Sequence, residues 1–214
     1  MSSMLDILLI SIVLLDFMLL ASSRITMYIR IVALQGGILG LIPFCVHHQE
    51  FSIYEIIFCT VTIIIKGFVL PYLLTKAQKS ADVRREIEPL LGYPISMFAG
   101  IIFLVISFKL SSKIDIPKLP VTELLITVSL TTIFNGLFII VTRVKALTQV
   151  MGYLVLENGI YIFGMAFLKK QSILVELGIL LDLFVAVFVM GIIIFHISRE
   201  FDHIDTDQLV SLKD

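Results

Sequence analysis

The sequence predicts an all-α membrane protein with seven transmembrane helices. Hydrophobic residues fill 58% of its 214 positions. Mean hydropathy is +1.05. The apolar residues gather in runs of about twenty, the length at which a helix crosses a ~30 Å hydrocarbon core. Charged residues, 15% of the chain, collect mainly between these runs, which excludes an ordinary soluble domain. A net charge of -1, with no basic aromatic-rich patch, offers no footprint for nucleic acid.

Hydropathy and helical periodicity place the spans at about 4–22, 27–46, 51–75, 93–110, 121–141, 146–168 and 172–197. The first run, Met4 to Leu20, has no basic segment before it and contains Asp6 and Asp16. It therefore reads as a retained helix and not a cleaved signal. Ten Lys and Arg residues fall on one side: Arg24, Arg30, Lys76, Lys79, Arg84, Arg85, Arg143, Lys145, Arg199 and Lys213. Five fall on the other: Lys109, Lys113, Lys118, Lys169 and Lys170. That bias sets the N-terminus outside and the C-terminus in the cytoplasm.

The fourth span reads as a linker helix, since a long charged loop from Lys76 to Gly92 precedes it and Pro117 and Pro120 follow. The groups of three helices on either side resemble each other weakly. Gln35 matches Glu157, Arg24 matches Arg143, Asp16 matches Asn135 and Glu55 matches Glu176, at offsets of 122, 119, 119 and 121 residues. Equivalent spans four helices apart share an orientation, so the expected architecture is a 3+1+3 parallel repeat.

Chemistry is expected at the intramembrane charges. Glu157 sits about eleven residues from either end of its span, or ~16 Å deep at the rise of a helix. An ionised carboxylate near the bilayer centre costs at least ~2.5 kcal/mol, so Glu157 should face protein or water. Tyr153 and Tyr161 lie one turn before and after it. The plainer reading is a neutral hydrogen-bonding Glu that glues helices together. Asp182 is about ten residues into the last span and is deep, whereas Glu176 lies one turn in and can be solvated. Asp16 lies nearer the cytoplasmic end of its helix, where snorkelling or capping competes with a functional role. Glu55, Cys59, Thr62 and Lys66 align on one face of the third span, but Glu55 and Lys66 are ~16 Å apart along the axis and cannot pair. Lys66 must find another acid or a water-filled cavity, or give up its proton. Thr127, Thr131 and Asn135 form a polar stripe that either meets Glu157 or Asp182 or makes ordinary interhelical bonds. Gly36, Gly37, Gly152, Gly159 and Gly164 permit close packing or a local break. Cys45 and Cys59 lack metal or redox spacing and read as small apolar residues. His47, His48, His196 and His203 do not form a credible metal site.

No catalytic triad, phosphate-binding glycine loop or metal-ligand spacing is present, so the chain does not read as an enzyme with an active site of its own. Buried acids can take and release protons as a neighbour's charge changes. The residues fit a proton relay.

The segment Gly152-Tyr-Leu-Val-Leu-Glu157-Asn158-Gly159, then Val175-Glu176-Leu-Gly178-Ile and Asp182 before an apolar run, resembles component E of hydrogenase-4 type formate hydrogenlyase complexes. The resemblance extends to Ile65-Lys66-Gly-Phe-Val-Leu-Pro71 and to the tail from Ile204-Asp205 through Leu212-Lys213. The C-terminal part is similar to the NuoK-type subunit of respiratory complex I. This implies a multi-pass subunit in a prokaryotic cell membrane, within the membrane arm of a group 4 [NiFe] hydrogenase. Its implied neighbours are antiporter-like subunits and the subunit anchoring the redox arm. NiFe and Fe-S clusters would lie in partners, and this chain would hold no cofactor. Glu157 takes the place of the first essential glutamate of the NuoK type. Asp182 would stand for the second, at a shorter spacing and as Asp, so either it or Glu176 is the partner acid. The relay expected is Glu157, Asp182, Glu176 and Lys66, with Glu55, Asp16, Tyr153, Tyr161 and Asn135 as secondary candidates. One alternative is a purely structural scaffold subunit. Another is a SWEET-like carrier, which three deep acids and the scarcity of prolines well inside the spans, Pro43 and Pro71, disfavour.

Overall fold

A computed structural model of the chain describes residues 2–46, 53–80, 90–114, 123–167, 178 and 181–191, and the described elements are helical. They are α1 (Ser2–Ala21), α2 (Ile25–Val46), α3 (Ile53–Ile64), α4 (Leu70–Ser80), α5 (Tyr93–Ser111), α6 (Glu123–Thr142), α7 (Ala146–Phe167) and the short apolar α8 (Leu181–Gly191). A π-helical turn, Ile65–Val69, joins α3 to α4 without a loop. Five stretches are long and apolar enough to cross a membrane: Met4–Ala21, Ile25–Cys45, Cys59–Lys79, Tyr93–Ser111 and Glu123–Thr142. The expected sixth span coincides with α7. Of the expected seventh, 172–197, the structure describes residue 178 and α8, and Glu176 lies outside the described residues.

The π-helical turn has a local cause. Pro71 has no N–H and its ring crowds the carbonyl four residues back, that of Gly67, so a regular α-helical bond cannot form there. The Leu70 amide instead donates to the Ile65 carbonyl, five residues back. Such turns inside α-helices occur frequently at functional sites. This one contains Lys66, whose side chain is buried.

Glycine sets the closest helix contacts. A Cβ on Gly36 would stand 2.6 Å from the Lys66 Cβ, and one on Gly40 would run into Ile63. Between α6 and α7, a Cβ on Gly136 would strike the Leu156 backbone, and one on Gly159 would reach the Ile133 amide nitrogen at 2.7 Å. Small residues thus let these backbones meet, the packing mode expected in lipid. Gly152 packs likewise on Ile139 and Ile140, while Gly37 meets nothing within 4 Å. None of these glycines breaks its helix; the irregularity falls at the π-helical turn.

The interior is layered. One apolar cluster joins Leu19 and Leu20 of α1, Ile25 to Val32 of α2, Leu70 and Leu74 of α4, Leu147 to Val155 of α7, and Val185 and Val189 of α8. A second joins Leu5 to Ile12 of α1, Leu39 to Cys45 of α2, Leu125 to Val128 of α6, and Tyr161 to Met165 of α7. Between them, at a single level, lie the buried polar residues Asp16, Gln35, Lys66, Thr132, Asn135, Glu157, Asn158 and Asp182. Outward positions such as Phe68, Phe98, Val141 and Phe184 are exposed and apolar, as lipid contact requires. The helix α5 packs on α6 and α1. Cys45 and Cys59 are buried in the bundle.

Candidate functional site: a lysine shared by two carboxylates

The polar layer contains a charged cluster built from α7, α8 and the π-helical turn. Lys66 Nζ donates to Glu157 Oε1 at 2.6 Å and to Asn158 Oδ1 at 3.3 Å. Asp182 Oδ1 lies 3.3 Å from the same nitrogen, within ion-pair range, but meets no hydrogen-bond geometry. The Asp182 contact is therefore attraction between charges without an aligned N–H, which is easily traded for another partner. Lys66, Glu157 and Asp182 are 6%, 3% and 3% exposed. One ammonium faces two carboxylates in a place where water cannot compensate the excess negative charge. Among the described residues Glu157 Oε2 has no hydrogen-bond partner, an open position for a proton or a water-borne donor.

Helix geometry explains the convergence. Gly36 lets α2 press against the backbone of Lys66. Gly136 and Gly159 hold α7 against α6 on either side of Glu157. A cavity of about 10 Å³, bounded by Val32, Lys66, Leu70, Leu154 and Asn158, adjoins the ammonium and is the size of one water molecule. A larger groove of about 220 Å³ runs between the ends of α6, α7 and α8, lined by Ile140, Gln149, Tyr153, Val185 and Phe188 among others. Tyr153 is half-buried, lines this groove and lies one turn before Glu157 on α7.

The other sequence-derived candidates divide. Asp182 joins Glu157 at the lysine, while Glu176 lies outside the described residues and the side chain of Glu55 is not described. Tyr161 is buried in the second apolar cluster. Asp16 neither snorkels nor caps: it is fully buried and accepts from Gln35 Nε2 and Thr132 Oγ1, each at 2.7 Å. The stripe on α6 does not hydrogen-bond Glu157 or Asp182. Thr127 shares a hydrogen bond with Ser111 at 2.7 Å, Thr131 donates back to the Thr127 carbonyl, and Asn135 is buried with both amide atoms unpartnered among the described residues. Glu157 meets Lys66 of the π-helical turn instead. Sequence reasoning did not single out Thr132 or the role of Asn158 as a ligand of the lysine. The signal for Asn158 was its place beside Glu157 in the Glu-Asn-Gly segment. Among the described residues there is no group of three or more His, Cys, Asp and Glu side chains able to hold a metal.

Asn158→Ala removes one acceptor from a buried ammonium and is expected to destabilise the chain by about 1–2 kcal/mol. Thermal unfolding of the purified protein in detergent measures it.

Over 151 residues, 70% of this chain and 69% of the relative, the sequence is 27% identical to hydrogenase-4 component E of Escherichia coli strain K12. The chain is distantly similar to hydrogenase-4 component E. The same identity and coverage hold for the proteins of that name from Shigella flexneri and E. coli O157:H7. A second relative, the uncharacterized protein Rv0085 of Mycobacterium tuberculosis, is 28% identical over 187 residues, covering 87% of this chain and 85% of its own length. No family model matches the sequence, and no solved structure matches it. Similarity to hydrogenase-4 component E and the apolar helices together fit a membrane protein related to hydrogenase complexes.

Proposed function

We propose that this chain is a membrane subunit of a hydrogenase-4-like complex and that it carries protons through the cluster of Lys66, Glu157 and Asp182. The observation that carries the reading is one buried lysine in reach of two buried carboxylates. With a single cation, the two acids cannot both be neutralised by it. When Lys66 pairs with Glu157, Asp182 is the acid in want of a proton; when the ammonium swings to Asp182, Glu157 is. A redox-driven change in a partner that shifts the ammonium from one carboxylate towards the other would thus load one acid and unload the other. Tyr153 and the adjoining groove offer an approach from the side of the α7 N-terminus. Glu176, placed by sequence near the outer end of the last span, is a candidate for the far end of the path.

In this reading the subunit spans a prokaryotic cell membrane seven times as a 3+1+3 parallel repeat, N-terminus outside and C-terminus in the cytoplasm. It lies between antiporter-like subunits and the anchor of the peripheral redox arm, with NiFe and Fe-S centres in those partners. Its support is the distant homology to hydrogenase-4 component E and the distribution of Lys and Arg along the chain.

The test is Glu157→Gln in the assembled complex. Gln keeps the shape and can still accept from Lys66 but cannot release a proton. Assembly and hydrogenase turnover with artificial electron carriers should persist, while redox-linked proton uptake into vesicles falls at least tenfold. Undiminished uptake would remove Glu157 from the path and leave the cluster as interhelical glue.

A further inference from the structure

The polar layer holds a second cluster that the lysine does not serve. Asp16 sits where α1, α2 and α6 converge and is fully buried. Its Oδ1 accepts from Gln35 Nε2 and its Oδ2 from Thr132 Oγ1, each at 2.7 Å. Both partners are neutral. Among the described residues Asp16 has no ion-pair partner, and Lys66 is committed to Glu157 and Asp182.

The elements packed on α1 supply no other counter-charge. The helix α2 contributes Gln35, its Arg30 being exposed and its Tyr28 two turns away. The helix α6 contributes Thr132 and Asn135, with Glu123, its sole charged residue, at the far end. On α5 the ionisable side chains are Tyr93 and Lys109, at its two ends. Arg143 binds the Leu20 carbonyl, one turn beyond Asp16, and stands 5.5 Å from the Tyr93 ring. An ionised Asp16 would therefore be a buried charge with hydrogen bonds alone to offset its desolvation, an arrangement that favours taking up a cation.

The site has places to receive one. Gln35 Oε1 and Asn135 Oδ1 are buried acceptors with no hydrogen-bond partner among the described residues, and Asn135 lies one turn along α6 from Thr132, which bonds Asp16. Leaving such atoms bare is costly, and a carboxyl O–H or a water carrying the proton within reach of them would relieve it. The neighbours in sequence tie this site to the first. Gly36, next to Gln35, packs on Lys66, and Gly136, next to Asn135, packs on Leu156, next to Glu157. The two clusters thus lie at one depth, back to back across α2 and α6.

We propose that Asp16, Gln35, Thr132 and Asn135 form a second proton-binding site, which holds an exchangeable proton on the Asp16 carboxyl. The inference extends the relay reading of the Lys66 cluster but rests on separate residues. Infrared spectroscopy of the purified full-length protein in lipid tests it. At neutral pH the wild type should show a protonated-carboxyl C=O band that shifts in D2O, persists in Glu157→Gln and is lost in Asp16→Asn. Thr132→Val, which removes one hydrogen bond and keeps the carboxyl, should shift that band without abolishing it, which covers the case where Asp16→Asn fails to fold. An unchanged carboxyl region in both Asp16→Asn and Thr132→Val overturns the proposal. So does a band that disappears when Na⁺ replaces choline at constant ionic strength, because the pocket would then hold a metal ion in place of a proton. If proton uptake is normal in Glu157→Gln, the Lys66 relay fails while the Asp16 band still decides this site.

Discussion

Lys66→Met is expected to be the most damaging single substitution in the chain. It leaves Glu157 and Asp182, each 3% exposed, facing one another at membrane depth without their ammonium. Removing one partner of a buried ion pair destabilises by about 3–5 kcal/mol, because the remaining charge has nowhere to go. The protein should then unfold at a markedly lower temperature in detergent, or fail to accumulate in the membrane. The diagnostic comparison is the triple variant Lys66→Met, Glu157→Gln, Asp182→Asn, which removes all three charges together. It should recover most of the lost stability, since a neutral, similarly shaped cluster avoids the desolvation penalty. If Lys66→Met is as stable as the wild type, or the triple variant no better than the single, the cluster is not held by charge. Neither variant should sustain proton uptake, so stability and transport separate in the triple variant.

Gly136→Val is expected to have the next largest effect. The added Cβ would meet the Leu156 nitrogen and its Cα, with the Leu156 Cβ at 2.8 Å. Backbone cannot swing aside as a side-chain tip can, so α6 and α7 must part. Overpacking of this kind costs about 1–3 kcal/mol, and more where the obstacle is main chain. Because Leu156 precedes Glu157, the same displacement draws the carboxylate away from Lys66. Gly136→Val should therefore lose both thermal stability and redox-linked proton uptake. Gly37→Ala provides the control: a Cβ there meets nothing within 4 Å, and both readouts should remain at wild-type level.

What the sequence could and could not convey follows from the kind of signal each residue gives. Helix positions were legible because apolar runs of membrane length separated by charged loops have few other interpretations; the expected 93–110 and 146–168 fall on Tyr93–Ser111 and Ala146–Phe167. Glu157, Asp182 and Lys66 stood out because a charge among apolar neighbours is conspicuous at any register. Their meeting was not legible. Lys66 is 91 residues from Glu157, and nothing local says which helix faces which. The threonine stripe left its partner open for the same reason: a four-residue spacing identifies a face but not its neighbour, and the face makes an ordinary interhelical bond at Thr127 while Thr131 satisfies its hydroxyl on its own helix. Thr132, one position off that stripe, reaches Asp16 instead. Asp16 was placed near a helix end by counting residues, but neighbouring helices cover that level, so its side chain is buried and not at the surface. The π-helical turn was readable only in part. Pro71 signals a lost backbone bond, and whether the helix answers with a kink or with a wider turn depends on what packs around it.

That wider turn also acts as a one-residue insertion in the phase of the third span. Each helical residue advances the side chains by about 100°, and the extra residue absorbed between Ile65 and Val69 sets the azimuth of everything that follows. If the same residues ran as unbroken α-helix, without the wide turn, the portion after Val69 would be rotated relative to the portion before Ile65 by roughly a quarter-circle. Leu70 and Leu74, now turned inward, would be redirected, or else Lys66 would be carried off its acids. The chain cannot keep both contacts with a regular helix, so the irregular turn is a geometric requirement for holding a lysine in mid-bundle above an ordinary apolar seam.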